Sequence, residues 1–404
     1  MNDRRIIALL GSLLLVIFVA LDAQGQAPAA RRGSVADDVV SSRALRGNFV
    51  GDSAQRRVVV YLPPSYADEP TRRYPAIYLL HGYQGSCKQW RAGGWDIRKV
   101  MDRLIAGAKV REMIVVMPDA KNRYGGGFYT NSATMGNWED FVVADLVSFI
   151  DQKYRTLAQP SSRGIAGHSM GGYGALRLAM KHPDTFSAVY GLSAACLGWG
   201  GDLTTENPVW DKTLAFKKLP DLNPRDVDAY LAQALLALAA AWSPNPEKPP
   251  LFVDFPVAGL GRERKRQEDV CARWSANMPV AMADQYRSSL ARLRGIAFDV
   301  GSRDEFPHIP LTNRAFDQAL KRNGIAHSFE EYDGDHSNRV ADRIEANLLP
   351  FFSRVLTFDA LPAPAWQEGR RRGGPEGSRP KGFTTNDTTI VVFVFERVKE
   401  GKKP

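Results

Sequence analysis

Residues 164–183, GIAGHSMGGYGALRLAMKHP, decide the fold that we expect. The stretch begins as a short strand and continues as a helix that ends before Pro183. Ser169 lies at the turn between the two, and Gly167 and Gly171 flank it two residues away on either side. A nucleophile elbow has this arrangement, in which a strained strand-to-helix turn lifts a serine hydroxyl above the end of a sheet. The stretch therefore predicts a nucleophilic serine within an alternating strand–helix fold.

Strands and helices alternate along most of the chain on both sides of this turn. Runs of apolar residues predict strands near residues 57–62, 74–82, 111–119, 163–169, 186–195, 295–302 and 326–336. Apolar residues at helical spacing predict helices over residues 137–154, 311–322 and 338–355. This alternation predicts an α/β fold with a mostly parallel central sheet and helices on both of its faces.

A serine hydroxyl becomes nucleophilic when a base takes its proton, so a histidine must lie nearby. Of the six histidines, His336 is the predicted base, because it follows the last predicted strand and precedes the final helix. His308 is the one serious rival, but it lies in the loop that is expected to supply the acid. His168 adjoins the serine, so its side chain is expected to point away from the hydroxyl. The remaining three, His81, His182 and His327, are expected to be structural.

A carboxylate must hold that histidine in the productive tautomer and stabilise the imidazolium that forms. The segment FDVGSRDEF offers three candidates. Asp299 lies inside a predicted strand, whereas Asp304 lies beyond it in a loop, so Asp304 is the predicted acid and Glu305 is the second choice. The order Ser169, Asp304, His336 is also the chain order of the triad in α/β-hydrolases.

Two backbone N–H groups are expected to form an oxyanion hole beside Ser169. Met170 opens the helix after the serine, where unpaired N–H groups and the positive end of the helix dipole face the site. The second donor is expected in the loop after YLLHG. Tyr83 is the candidate there, because Gly82 lets the backbone bend toward a substrate.

The ends of the chain differ in composition from its middle. Residues 1–25 have a basic start, an apolar run over residues 6–21 and small residues near position 25, which predicts a secretory signal peptide. An uncleaved helical anchor is the alternative. Residues 26–44 are expected to form a linker and residues 45–357 the catalytic domain. Residues 358–404 are expected to be a basic, disordered tail with a short apolar segment at 388–398.

One internal stretch, residues 197–282, breaks the alternation of strands and helices. It contains a strongly helical segment, DVDAYLAQALLALAAAW, followed by the proline-rich SPNPEKPP. We interpret this stretch as a partly helical, cap-like insertion over the sheet. Irregular surface packing without a role in the site is the alternative.

Composition argues against several classes of partner. The net charge is +9, but the basic clusters lack the interleaved aromatic residues of a nucleic-acid surface, so no nucleic-acid partner is expected. The three cysteines allow one disulfide and a spare thiol, and the sequence does not choose among the pairings. No Cys/His grouping has the spacing of a metal site, so no metal is expected. No second long apolar run follows the first, so no stable membrane insertion is expected once the signal is removed.

Five segments together resemble one group of secreted α/β-hydrolases, the esterase D, feruloyl esterase and antigen 85 group. They are RRVVVYLPPSY…YPAIYLLHG, GNWEDFVVADLVSFIDQKYRT, GHSMGGYGALRLAMKHP, DVGSRDEF and EEYDGDHSN, and the resemblance extends over roughly residues 45–356. It implies the α/β-hydrolase fold, serine hydrolysis of carboxylic esters, and no cofactor. It implies Ser169, Asp304 and His336 as the triad and the N–H groups of Tyr83 and Met170 as oxyanion donors. The long insertion and the C-terminal tail depart from the family pattern and leave the substrate open.

The resemblance and the predicted signal peptide together suggest an exported serine carboxylesterase, either periplasmic or extracellular. Its expected substrates are small-molecule or carbohydrate-linked esters, including acyl or feruloyl esters of sugars. An acyltransferase that uses the same triad is one alternative, since only exclusion of water separates transfer from hydrolysis. A non-catalytic binding protein on a hydrolase scaffold is another, but it would need a broken triad.

Overall fold

An eight-stranded sheet forms the centre of residues 31–359, the part of the chain that this computed structural model describes. Its strands are β1 Ser34–Ser41, β2 Gln55–Leu62, β3 Ala76–Leu80, β4 Ile114–Pro118, β5 Arg163–His168, β6 Ala188–Leu192, β7 Gly295–Gly301 and β8 Ser328–Tyr332. They are hydrogen-bonded in the order β1-β2-β4-β3-β5-β6-β7-β8. Only the pairs β1–β2 and β2–β4 are antiparallel, so the predicted, mostly parallel sheet is confirmed.

Helices follow most of these strands. They are α1 Ile97–Ala106, α2 Trp138–Asp140, α3 Val147–Lys153, α4 Met170–Lys181, α5 Val209–Leu214, α6 Val227–Trp242, α7 Glu268–Ser275, α8 Pro279–Met282, α9 Arg287–Ala291, α10 His308–Arg322, α11 Val340–Arg343 and α12 Leu349–Val355. The π-helical segments Phe141–Leu146 and Ile344–Leu348 join α2 to α3 and α11 to α12. Two-residue strands pair outside the central sheet, at Asn131–Ser132 with Gly136–Asn137 and at Val257–Ala258 with Lys265–Arg266.

The sheet separates two hydrophobic cores because successive side chains of a strand point to opposite faces. In β2, Val58 and Val60 enter the core that also contains α4, α6 and α10. Val59 and Tyr61 enter the other core, which α1, α11 and α12 cover. Both faces of the sheet are therefore buried under helices, as a parallel sheet requires.

The stretch 197–282 forms α5 to α8, and its longest helix, α6, is buried over residues 231–242. A helix that is apolar on all sides has to be covered on all sides. Part of that cover comes from the loops that follow β3 and β4. Gln84 Nε2 donates to Gln233 Oε1 at 2.8 Å, and Ser132 Oγ donates to the Ala240 carbonyl at 2.5 Å. These bonds attach α6 to loops at the carboxyl ends of the sheet strands.

Two elements differ from the expectations drawn from the sequence. Within the segment expected to be a linker, residues 26–44, β1 pairs antiparallel with β2 at the edge of the sheet. The prediction was wrong there, because acidic residues such as Asp37 and Asp38 hide the strand pattern while the backbone still completes the ladder. Helix α1 was not predicted at all. It buries Ile97, Val100, Met101 and Leu104, which share one helix face, and Asp96 caps it.

Several expectations lie outside the described residues. They are the signal peptide at residues 1–25, the first part of the expected linker, the tail beyond residue 359 and its apolar segment at 388–398. A search of the described helices for one with the length and apolar character needed to cross a membrane finds none.

Glu139, in α2, is surrounded by basic side chains at the end of α4. Its carboxylate accepts hydrogen bonds from Arg177 Nη1 at 2.5 Å, Lys181 Nζ at 2.6 Å and His182 Nε2 at 2.7 Å. Burial alone would raise the pKa of Glu139, but the hydrogen bond from His182 and the charge of Arg177 hold that pKa well below its ordinary value. Arg177 is itself buried, so the pair forms an ionic contact inside the protein.

Replacing Glu139 with Ala is expected to lower the free energy of unfolding by about 3–5 kcal/mol, because Arg177 would stay buried without its counter-charge. The pKa of Glu139 is lower in the folded than in the unfolded chain. Its stabilisation is therefore present above the ordinary Glu value of about 4.3 and is lost as the pH falls toward the folded value. Urea unfolding near pH 7 and below about pH 4 measures the free energy of unfolding of both proteins. The difference in this free energy between wild type and variant should be smaller in acid.

The control variant is Asp184→Asn, which removes an exposed ion pair with Arg292. No measurable change in stability is expected from it, because solvent screens the pair. If Glu139→Ala were as harmless as Asp184→Asn, the structural role assigned to Glu139 would be refuted.

Candidate active site

Ser169 lies between β5 and α4 in a strained backbone conformation. Its φ is 58° and its ψ is −119°, a region that non-glycine residues rarely adopt. The flanking glycines permit the sharp turn. A Cβ on Gly167 would collide with the backbone of Gly171, and a Cβ on Gly171 would collide with the Leu80 carbonyl. These features are those of a nucleophile elbow.

His336 and Asp304 form a buried hydrogen-bonded pair. His336 Nδ1 lies 2.7 Å from Asp304 Oδ2, and the other carboxylate oxygen of Asp304 accepts the Phe306 N–H at 3.0 Å. Because the Asp304 carboxylate accepts this hydrogen bond, Nδ1 carries the proton of the His336 imidazole. The Nε2 atom is then left to accept a proton from a substrate or a nucleophile.

The topology explains how these residues meet. Ser169 follows β5, Asp304 follows β7 and His336 follows β8, and these strands belong to one parallel run of the sheet. The carboxyl ends of parallel strands share one edge, where ligands bind in open α/β sheets. Among the hydrogen bonds of residues 31–359, none joins Ser169 Oγ to the His336 ring. In enzymes without substrate this bond is often long and tightens only in the complex.

Glu305, the second choice for the acid, contacts the backbone of His336 and not its ring. Its Oε2 accepts the His336 N–H at 3.2 Å. Asp299, the third candidate, is buried inside β7 and accepts hydrogen bonds from Tyr190 and Arg343. The geometry therefore brings Asp304 alone of the three to the imidazole of His336.

His168 contacts both the backbone and the ring of His336. Its Nε2 donates to the His336 carbonyl at 2.8 Å, and the two ring centroids are 4.7 Å apart. Burial, and secondarily the nearby His336, lower the pKa of His168 to about 3. His168 is therefore a neutral donor that fixes the backbone of His336. Among the hydrogen bonds of residues 31–359, none joins His168 to the Ser169 hydroxyl.

The loop after β3 presents the backbone N–H of Tyr83 to the same site. A Cβ built on Gly82 would lie 3.4 Å from the Ser169 Cβ, so the loop adjoins the serine. The Gly82 carbonyl accepts hydrogen bonds from His81 Nδ1 at 2.8 Å and from the Gly85 N–H at 3.0 Å. Because the C=O and N–H of a trans peptide point in opposite directions, the Tyr83 N–H is directed away from those partners. His81 is thus structural, and burial lowers its pKa.

Met170 is the first residue of α4, so its N–H precedes the hydrogen-bonded part of that helix. Within the described part of the chain, neither the Met170 N–H nor the Tyr83 N–H has a backbone acceptor. Both groups are therefore free to donate to an oxyanion beside Ser169.

A small cavity of about 40 Å³ opens beside Ser169, Tyr83 and Met170. Most of its wall is apolar, including Phe128, Leu231, Ala234, Leu238, Phe306 and Ile309. Three of these residues come from α6, at the i, i+3 and i+7 spacing that places them on one helix face. The stretch 197–282 thus supplies one wall of this cavity. Sequence reasoning left open whether the stretch reaches the site, since helical periodicity does not say where a helix docks.

His308, the rival base, has a different environment from His336. Its Nδ1 lies 2.8 Å from Asp202 Oδ1, and its Nε2 lies 3.7 Å from the Sγ of Cys196. No sequence pattern indicated this cluster, because His308 lies 106 residues after Asp202 and 112 residues after Cys196. All three cysteines are buried free thiols. Within residues 31–359 no three His, Cys, Asp or Glu side chains are grouped so as to hold a metal ion.

A protein-family model matches most of the residues that form this fold. The model of the Esterase family, described as "Putative esterase", matches residues 53–340. The chain belongs to this esterase family. The matched range begins just before β2 and ends at the start of α11, so it includes the elbow, Asp304 and His336.

Curated relatives match part of the length of this chain. Esterase Rv1288 of Mycobacterium tuberculosis is 33% identical over 213 residues, which are 47% of this chain and 43% of that protein. The endo-1,4-beta-xylanase/feruloyl esterase of Xylanibacter ruminicola is 32% identical over 138 residues, which are 31% of this chain and 18% of that protein. The chain thus spans less than half the length of the curated relatives that it matches.

Solved structures share the fold of this chain over most of its length. A ferulic acid esterase is 24% identical with a TM-score of 0.56, covering 80% of this chain and 99% of that one. An S-formylglutathione hydrolase from Agrobacterium tumefaciens is 19% identical with a TM-score of 0.54, covering 82% of this chain and 99% of that one. The predicted α/β-hydrolase fold is confirmed.

Proposed function

We propose that this esterase hydrolyses carboxylic esters by a serine mechanism. The observation that carries the proposal is the buried hydrogen bond between His336 Nδ1 and Asp304 Oδ2, formed at the sheet edge where the elbow holds Ser169. A histidine oriented in this way beside an elbow serine is the arrangement that acyl transfer requires. The family match supports ester hydrolysis independently of the geometry.

In the proposed reaction, Ser169 Oγ attacks the ester carbonyl carbon while His336 Nε2 takes the hydroxyl proton. The oxyanion that forms accepts hydrogen bonds from the N–H groups of Tyr83 and Met170. His336 then gives its proton to the leaving alcohol oxygen, and an acyl-enzyme remains on Ser169. Water, deprotonated by His336, attacks this intermediate and releases the carboxylic acid.

We propose that the stretch 197–282 acts as a cap that selects the substrate. Its helix α6 lines the cavity beside Ser169, and that cavity, at about 40 Å³, has room for a short acyl chain. Similarity to a feruloyl esterase and to a ferulic acid esterase supports esters of carbohydrates as the substrate class. Together these observations favour short acyl groups over the larger feruloyl group on such substrates.

We further propose that residues 1–25 direct export of the catalytic domain, which includes β1, to the periplasm or the medium. The basic start followed by an apolar run supports this proposal. N-terminal sequencing of the exported protein would test it.

Labelling with a fluorophosphonate tests the serine mechanism. We expect a single covalent adduct, located by mass spectrometry on Ser169 and absent from Ser169→Ala. Ser193→Ala is the matched control, since Ser193 is a fully buried serine in the loop after β6, and it should be labelled like the wild type. An adduct on another residue, or none at all, would contradict the proposal.

A further inference from the structure

His308 places a polar atom in the wall of an otherwise apolar cavity. The residue is 3% exposed and begins α10. Asp202 Oδ1 accepts both the His308 Nδ1–H at 2.8 Å and the His308 backbone N–H at 2.7 Å. Burial raises the pKa of Asp202, but the hydrogen bonds that its carboxylate accepts from His308 outweigh this effect and lower that pKa overall. The ionised carboxylate therefore keeps a proton on Nδ1 and directs Nε2 to the opposite side.

On that side Nε2 has only a weak partner. The Sγ atom of Cys196 lies 3.7 Å away, and a thiol is a poor hydrogen-bond donor. Burial, and secondarily the charge of Asp202, raise the pKa of the Cys196 thiol, so it stays protonated. Cys196 also has a φ of 56°, a strained conformation for a non-glycine residue. A hydroxyl would form a shorter and stronger bond to Nε2 than this thiol does.

Both residues line the cavity that contains Ser169. Cys196 and His308 share its wall with Met170, Phe306 and Ile309. The other lining groups are largely apolar, and His308, whose Nε2 has the weak thiol partner, lines the space that an acyl chain would fill. Buried polar atoms without a good partner call for an explanation, and a ligand hydroxyl supplies one.

We propose that His308 Nε2 accepts a hydrogen bond from a hydroxyl on the acyl chain, so that the preferred substrates are esters of short hydroxy acids. The inference rests on the proposed function, because the acyl chain enters this cavity only if Ser169 attacks its carbonyl. On binding, the substrate O–H replaces the thiol S–H at Nε2. Asp202, in the stretch 197–282, is then a positioning residue, since it acts through His308.

The test compares two esters of equal chain length, ethyl butyrate and ethyl 3-hydroxybutyrate, with each enantiomer of the second measured separately. Acid release is followed by titration at constant pH, and the readout is the ratio of kcat/KM between the two esters. We expect the wild type to prefer one enantiomer of the hydroxy ester by about tenfold. His308→Phe, which keeps an aromatic ring but removes Nε2, should reduce this ratio to near one.

Cys196 allows a second test that does not depend on the folding of the His308 variant. Cys196→Ala removes the competing donor and should raise the preference for the hydroxy ester. Cys196→Ser supplies a stronger competing donor and should lower it. A merely structural role for Cys196 would not move the ratio in opposite directions.

His327→Phe is the matched control. His327 is another histidine with a largely covered side chain, and it is hydrogen-bonded to an aspartate, Asp317, at 3.0 Å, but it lies outside this cavity. Its variant should keep the wild-type ratio. Equal kcat/KM for both esters in the wild type, or one ratio in all variants, would overturn the inference while leaving the esterase proposal intact. Failure to hydrolyse either ester with a labelled Ser169 would also overturn the inference, whereas the same failure with an unlabelled Ser169 would overturn the proposed function.

Discussion

Ser169→Ala is expected to lower kcat by at least about 10⁴-fold on any ester that the wild type hydrolyses. Without Oγ no acyl-enzyme forms, and His336 has no nucleophile to deprotonate. The proposed oxyanion donors, the N–H groups of Tyr83 and Met170, remain in place, so a residual rate above that in water is expected. Steady-state hydrolysis of p-nitrophenyl acetate checks the result.

This variant should fold normally, because alanine replaces serine without a change in backbone and the strain at φ 58° is common to both residues. Circular dichroism and thermal unfolding provide that control. Substrate should still bind, so KM is expected to change far less than kcat. Activity within about tenfold of the wild type would show that Ser169 is not the nucleophile.

Asp304→Asn is expected to lower kcat by about 10³–10⁴-fold. The asparagine fills the same volume, but its amide N–H can donate a hydrogen bond to Nδ1 and so favour the wrong tautomer of His336. It also removes the negative charge that stabilises the imidazolium in the transition state. Stopped assays with high enzyme concentration over several hours can measure such a residual rate.

The neighbouring carboxylate provides the matched control for Asp304. Glu305 accepts the backbone N–H of His336 through Oε2, and glutamine retains an oxygen that can accept this bond. Glu305→Gln is therefore expected to keep kcat within about fivefold of the wild type. If Glu305→Gln lowered kcat more than Asp304→Asn did, Glu305 would be assigned as the acid in place of Asp304.

Much of the fold could be predicted because local patterns of apolar residues indicate its strands and helices. Apolar runs and helical spacing identified the inner strands and the helices around residues 137–154, 170–183 and 338–355. The elbow could be located because Ser169, Gly167 and Gly171 must lie close together in the chain. β1 was missed, since its acidic residues obscure an edge strand whose stability comes from pairing with β2.

Parts of the site depended on contacts between distant segments. Asp304 and Glu305 are adjacent, so spacing could rank them only weakly, and the side-chain directions in the folded loop bring one to the ring of His336 and the other to its backbone. The role of His168 in fixing the His336 carbonyl was also not visible from the sequence. Such contacts depend on rotamers and loop packing, which local composition does not encode.

The sequence by itself determined the strand–helix alternation, the turn at Ser169 and the order of Ser169, Asp304 and His336, because each is a property of neighbouring residues or of chain order. Tertiary structure decided which side chains share the small cavity beside Ser169. Helix α6 from the stretch 197–282 and the cluster of Cys196, Asp202 and His308 meet there. Packing against the sheet brings these segments together. The periodicity of one segment does not indicate where the other segments lie in the fold.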